Sequence, residues 1–300
     1  MKSLTIATTW GTKYWPNPVK PCIESTIKNW PDHAKILLYP DDMSQKLDLP
    51  RTEYIDLCKA QPKLQEFIDR HKNNPELNPR IKQNAEEQKG FDKDTSIYVY
   101  DAVRFSYKVF ACIDAWQRTK PDMLWFLDAD LLTFEKIPMT WLEHIIPDTA
   151  FTSYLGRPKK GFSETGYYAF NTSHKHAEEF FKRWEQYYTD DLFFNIQKGF
   201  LNHFPIAGYT DSFTFDAVRI EMEQAGKIKN EDLNDGRFAG KRRAKHPFIN
   251  SELGQYMDHM KGFSRKSRMS SKRSDLTTKQ NHPYWNCLLY TSPSPRDLAQ

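Results

Sequence analysis

Cysteine and glycine are both scarce, at 4 and 12 residues in a chain of 300. So few cysteines cannot build a disulfide framework, and they point to a reducing compartment. So little glycine excludes collagen-like and low-complexity classes. Long apolar runs are also missing: none approaches the about 18–20 residues that a membrane helix needs. The start, MKSLTIATTWG, carries a short apolar stretch with no cleavage-like region, so it reads as a strand and not as a signal peptide. A cytoplasmic location without a transmembrane segment is the expectation. Nor does either sign of charge dominate. Forty-three Lys+Arg against 39 Asp+Glu leave a net charge of +4, too little to argue for a nucleic-acid partner. What the chain does have is aromatic bulk: 20 Phe, 15 Tyr and 8 Trp, within 39% apolar residues. Residues of that kind must be buried, which excludes a disordered chain. The length suits one large domain or two small ones.

Residues 287–297, CLLYTSPSPRD, show neither helical nor strand periodicity. They resemble the translation of a transposon-type sequencing adapter read through in frame; a Pro/Ser tail is the other reading. The stretch is set aside from fold reasoning. The three remaining cysteines are Cys22, Cys58 and Cys112, an odd number that again disfavours a disulfide framework. On this reading the natural product is expected to extend past about Asn286, a domain spans residues 1–275, and residues 276–300 are a tail.

Along the chain, LTIATTW (Leu4–Trp10) reads as a buried strand, Pro21–Trp30 as a helix and AKILLYPDD as a second strand. Strand, helix, strand is the seed of a parallel sheet. Residues 48–93 are charged, punctuated by Pro50, Pro62, Pro75 and Pro79, and read as a helical insertion or lid. Ile97–Trp116 carries a clear helical period: Val99, Ala102, Val103, Val109, Phe110, Ile113 and Trp116 share one face, and Asp101, Arg104 and Lys108 another. MLWFLDADLL then gives a continuous apolar run ending in two acids, the pattern of a strand covered on both faces. TAFTSYL and TGYYAFN read as strands, and His174–Tyr188 as a helix. The fold class is therefore α/β, and no internal repeat is visible. Ten basic residues gather between Lys241 and Arg273, where an anionic partner or a solvated surface would account for them.

The sharpest chemical feature is Asp128-Ala129-Asp130. In open α/β sheets the carboxyl ends of strands are where ligands bind. Side chains alternate along an extended strand, so residues 128 and 130 are expected to point the same way. Together they can share a hard cation such as magnesium or manganese. Two adjacent acids beside an apolar strand are costly if unpaired. The plain alternative is an Asp pair that caps the following turn.

The order of parts resembles a glycosyltransferase of the GT-A fold, in particular the nucleotide-sugar-dependent, glycogenin-like (family 8-like) branch. The pieces that carry the resemblance are TIATTW, VRFSYKVFACIDAW before MLWFLDADLL, ETGYYAFN, DSFTFDAVR, and HPFINSELGQYMDHMKGFSRK, spread from residue 4 to about 266. The resemblance implies a Rossmann-like, mainly parallel central sheet flanked by helices. It implies that Asp128, Asp130 and His259 hold a divalent cation, which binds the diphosphate of a donor such as a UDP-sugar and neutralises the leaving group. It places Thr8, Thr9 and Trp10 against the nucleotide base and ribose, and Arg104 and Lys108 facing the donor. Gly262 would allow close backbone approach to phosphate. Lys261, Arg265 and Lys266 would add positive charge there. The family's usual Lys-Pro-Trp after His-x-x-Gly is absent, since the chain continues Phe263-Ser264-Arg265-Lys266.

On the acceptor side, an inverting enzyme needs a carboxylate base within reach of the acceptor hydroxyl. Asp211 is the first choice and Glu164 the second. Asp211 reads equally well as the N-cap of the helix that follows it, and Asp216 reads as a solvated helix residue. The acceptor, a glycan, lipid or protein, is open. Two other readings compete. A phosphohydrolase could use an Asp-x-Asp nucleophile and acid, although such enzymes place the motif on the first strand. A non-catalytic nucleotide-sugar-binding protein could keep the fold without turnover.

Overall fold

A computed structural model describes residues 1–82, 99–157, 162–195, 208–234 and 246–287. In chain order the main elements are β1 (Leu4–Trp10), α1 (Val19–Asn29), β2 (Lys35–Pro40), β3 (Thr52–Tyr54), α2 (Leu57–Ala60) and α3 (Pro62–His71). Next come α4 (Ala102–Thr119), β4 (Met123–Leu127), β5 (Leu131–Thr133), α5 (Met139–Ile145), β6 (Thr152–Leu155) and β7 (Glu164–Asn171). The rest are α6 (Ala177–Thr189), α7 (Asp211–Gln224), β8 (Asn230–Asp232), β9 (Met257–His259), α8 (Phe263–Lys266) and α9 (Pro283–Cys287). Helix α4 starts later than its periodicity suggested. Asp101 is its N-cap, accepting from the Arg104 N–H at 3.1 Å, so it does not sit on the helix face with Arg104 and Lys108. Of the residues ahead of it, Ile97 and Tyr98 lie outside the described residues.

Seven strands form one sheet in the order β3-β2-β1-β4-β7-β6-β8. β1 pairs in parallel with both β2 and β4, and β7 runs antiparallel to β4 and β6. This is the mixed, mainly parallel sheet flanked by helices that the α/β reading anticipated. The apolar run of β4 is explained by its central place. Met123, Trp125 and Leu127 face one core with Ile6, Leu38 and Trp141, while Leu124 and Phe126 face the other with Tyr39, Val109 and Phe170. A strand buried on both faces cannot alternate apolar with polar. The second core is where the aromatic residues collect. Tyr168, Phe170, Phe180, Trp184 and Phe215 pack ring against ring, with centroid distances from 4.9 Å to 6.2 Å.

Within the stretch 48–93, β3 extends the sheet by pairing in parallel with β2. Helix α3 buries Leu64 and Phe67 in the core shared with α4. Residues 83–93 lie outside the described residues, as do Lys241, Arg242, Arg243 and Lys245 of the basic cluster. Residues 288–297 of the C-terminal stretch lie outside them as well. Cys22, Cys58 and Cys112 stand as free thiols. Among the described residues no helix is long and apolar enough to cross a membrane.

Candidate metal and donor site at the end of β4

From β1 the chain passes through α1 to β2 and β3 on one side, then returns through α4 to β4 on the other. That reversal puts the carboxyl ends of β1 and β4 at a switch point of the sheet, the place where open α/β sheets bind ligands. Asp128-Ala129-Asp130 stands at the end of β4. The two acids come together for a different reason than strand alternation. β4 stops at Leu127, and the chain turns, with the Leu131 N–H donating to the Asp128 carbonyl at 3.0 Å. The Asp128 N–H donates across to the Gly166 carbonyl at 2.9 Å and fixes where that turn begins.

His259 arrives by backbone pairing. β5 follows the turn and pairs antiparallel with β9, with Leu131 opposite His259, and the Met260 N–H donates to the Asp130 carbonyl at 3.0 Å. His259 Nε2 then lies 3.3 Å from Asp130 Oδ1 and 3.6 Å from Asp128 Oδ2. One ligand atom from each of Asp128, Asp130 and His259 falls within 4.8 Å of the others, the one such group among the described residues. Two carboxylate oxygens and an imidazole nitrogen converging on one point suit a divalent cation of the manganese or magnesium kind. The residues therefore fit the ion.

Lysines already neutralise these acids. Lys108 Nζ sits 2.7 Å from Asp128 Oδ1 and 3.0 Å from Asp211 Oδ2, and it also donates to the Thr165 carbonyl. Burial works against a charged Lys108, yet the two carboxylates outweigh it and hold the ammonium above the ordinary lysine range. Lys266 Nζ sits 2.9 Å from Asp130 Oδ2 and 4.4 Å from the centre of the Tyr14 ring. Burial likewise opposes its charge, and Asp130 outweighs burial, so its pKa is raised. In turn, Lys266 overcomes the burial of Asp130 and holds that carboxyl well below its usual range. Arg265, by contrast, is turned away. It forks onto Asp275 at 2.5 Å and 2.6 Å and donates to the Lys261 carbonyl at 2.9 Å.

Glu164 is 2% exposed and has both oxygens engaged. Oε2 pairs with Arg157 and Lys261, and Oε1 lies 3.2 Å from His259 Nδ1. Gly166, two residues on, leaves room for the imidazole: a Cβ there would lie 2.3 Å from His259 Nδ1. Gly262 has φ +76°, in the left-handed region that glycine favours, with open space where a Cβ would be.

Asp211 is not a cap. The N-cap of α7 is Thr210, and Asp211 opens the first turn, buried, accepting from the Tyr168 hydroxyl at 2.6 Å. Asp216 is buried too, against the solvated reading. It accepts from the Ser163 N–H and hydroxyl at 2.5 Å and 2.8 Å, and from Arg219 Nε at 3.0 Å. At the end of β1, Thr9 donates its hydroxyl to the Tyr39 carbonyl at 2.7 Å. Trp10 is buried, stacked on Trp15 and bonded through Nε1 to Gln45 at 3.0 Å. The Thr8 hydroxyl oxygen is buried with no hydrogen-bond partner among the described residues. Arg104 reaches the Tyr14 hydroxyl at 3.1 Å.

Four residues of the site had no role in the sequence reading: Tyr14, Arg157, Tyr168 and His246. The partners of Tyr14 and Tyr168 lie in distant segments and follow no local period. His246 opens the segment HPFINSELGQYMDHMKGFSRK, but a histidine before a proline reads as a loop residue. Its buried ring stands edge-on to the His259 ring at 6.2 Å.

No protein-family model matches this chain. No curated protein sequence matches it either. Among solved structures, it is similar to mouse xyloside xylosyltransferase 1 in its apo form, at 10% identity and a TM-score of 0.44, over 78% of this chain and 86% of that one. It is also similar to the glycosyltransferase GlyE of Streptococcus pneumoniae, at 10% identity and a TM-score of 0.37. That match covers 78% of this chain and only 46% of GlyE.

Proposed function

We propose that the protein is a metal-dependent glycosyltransferase that moves a sugar from a nucleotide-sugar donor, such as a UDP-sugar, to a hydroxyl of a glycan, lipid or protein acceptor. The observation that carries this reading is the convergence of Asp128, Asp130 and His259 at the switch point beside β1. The three would hold a manganese or magnesium ion, which when bound supplies Lewis-acid neutralisation of a diphosphate leaving group.

The remaining residues take roles set by their places. Lys266 is in reach of Asp130 and would turn to a donor phosphate, with Lys261 and the open Gly262 backbone beside it. Arg265 serves the Asp275 pair and so acts on the diphosphate only through the segment it braces. Thr8 has an unpartnered hydroxyl oxygen to offer a nucleotide, and Thr9 and Trp10 shape the wall behind it. Arg104 and Tyr14 would line the same side. Asp211 is the base we assign. Lys108 must release it for that role, because Asp211 Oδ2 is held by both Lys108 and Tyr168. Glu164 is the weaker choice, since cations occupy its Oε2.

The test is a panel of nucleotide-sugars screened for manganese-dependent release of free nucleotide. The wild type should release nucleotide from one of them, and Asp130→Ala should not. Release that survives both chelation and Asp130→Ala contradicts the proposal. A trapped aspartyl-phosphate at Asp128 would replace it with phosphohydrolase chemistry. Donor binding by calorimetry without turnover would make the protein a binder.

A further inference from the structure

We propose that Glu164 acts as the positioning carboxylate of His259, holding the imidazole proton on Nδ1 so that the Nε2 lone pair faces Asp128 and Asp130. The inference rests on the metal-site reading above and gives Glu164 a task other than that of an acceptor base.

Three observations carry it. His259 is 4% exposed, so water cannot satisfy its ring nitrogens. Nε2 already faces the two acids, at 3.3 Å and 3.6 Å. Nδ1 has no aligned hydrogen-bond partner among the described residues, and the polar atom beside it is Glu164 Oε1 at 3.2 Å. A small rotation of the ring makes that contact a hydrogen bond in which Nδ1–H donates. The other oxygen of Glu164 is fixed by Arg157 and Lys261, so the carboxylate is aimed and cannot swing away. Gly166 completes the socket, because any side chain there would strike the ring at Nδ1 and Cε1.

The chemistry follows from the two nitrogens of imidazole. A neutral ring binds a cation through one lone pair, and the partner of the other nitrogen decides which one is free. Outer-shell carboxylates that accept from a ligating histidine fix both its tautomer and its orientation. Glu164 is 2% exposed and serves three cationic or imidazole groups at once, which fits a fixed support better than a base that must meet an incoming hydroxyl.

The isosteric change Glu164→Gln separates these roles. Two cations would draw the amide oxygen, leaving its NH2 to face Nδ1 and making Nδ1 an acceptor. The proton of His259 would then sit on Nε2, the atom the cation needs. Two measurements on the full chain report this. Nitrogen-15 correlation spectra of the His259 side chain, taken without added metal, should show the proton on Nδ1 with a bare Nε2 in the wild type, and the proton on Nε2 with a bare Nδ1 in Glu164→Gln. Calorimetric titration with manganese, alone and with UDP, should show affinity falling by about 10- to 100-fold in Glu164→Gln. Gly166→Ala, which leaves the carboxylate intact and displaces the ring, should weaken manganese comparably.

A wild-type His259 without a proton on Nδ1 overturns the inference, and needs no variant to do so. Unchanged manganese affinity in Glu164→Gln also overturns it. If turnover then falls by more than about a hundredfold, Glu164 returns to the role of base. A wild type that binds no manganese, with or without UDP, defeats the metal reading. The proton on Nδ1 is still observed independently in that case.

Discussion

Leu131 and His259 face each other across the β5–β9 ladder, and this pairing brings the imidazole to the acids at the end of β4. The two short strands are a clamp: β5 begins one residue after Asp130, and β9 ends at His259. A cation held by Asp128, Asp130 and His259 would therefore cross-link the end of β4 to the C-terminal segment. Manganese at about 100 times its Kd should add about 2.7 kcal/mol of stability. For a domain of this size that is a rise of about 4–5 °C in Tm. Asp130→Ala should lose the rise. Scanning calorimetry with and without manganese measures it, and a wild-type Tm that manganese leaves unmoved counts against the site.

Arg265 and Lys266 are adjacent in sequence and should separate in their effects. Lys266→Ala removes an ammonium that sits at Asp130, so KM for the donor should rise by about tenfold or more. Arg265→Ala breaks the fork onto Asp275, so it should lower Tm and leave KM close to wild type. Steady-state kinetics beside thermal melts decide the matter. The reverse pattern would mean that the two side chains exchange places when donor binds.

Lys108 bridges Asp128 and Asp211 from a buried position on α4. Lys108→Met keeps the bulk and removes the charge, leaving Asp211 buried without its cation. Loss of one partner from a buried ion pair costs about 3–5 kcal/mol. Urea unfolding should report a loss of that order. Manganese should restore only part of it, because Asp211 is not among the three ligands.

Much of this site was legible because the residues that build it sit in runs with one physical reading. MLWFL had to be a covered strand, and acids that end such a strand had to be accounted for. LTIATTW was legible for the same reason, and the strand forms over Leu4–Trp10. What failed was inference from local polarity. Asp216 read as a solvated helix residue, yet it is buried, as are Asp211, Ser212, Thr214 and Arg219 on the same helix. Their partners, Tyr168 for Asp211, Ser163 for Asp216 and Trp184 for Thr214, lie far away in sequence. The Arg265 pair was hidden for a similar reason. The Asp275 that takes it lies in a single 3-10 turn ten residues on, where no period predicts a contact. The turn at Asp128–Asp130 was misjudged because a strand's end depends on its neighbours, here the Gly166 carbonyl.

His246 gives the protein a stability that depends on pH. Its ring is buried, and neither nitrogen has a hydrogen-bond partner among the described residues. Burial pushes its pKa from 6.5 down to about 4. In the unfolded chain the imidazole takes a proton near its ordinary value, so between about 6.5 and 4 the unfolded state binds more protons than the folded one. Stability contributed by the neutral ring is therefore full above pH 6.5 and is lost as pH falls toward 4, with no further change below. The window corresponds to a loss on the order of 3 kcal/mol. His246→Leu removes both the titration and the unpartnered nitrogens, so it should be at least as stable as the wild type at pH 7. Urea midpoints at pH 7 and pH 4.5 should show the wild type losing about 2 kcal/mol more than the variant. Equal losses in the two proteins would mean that the His246 ring is protonated or paired in the folded chain.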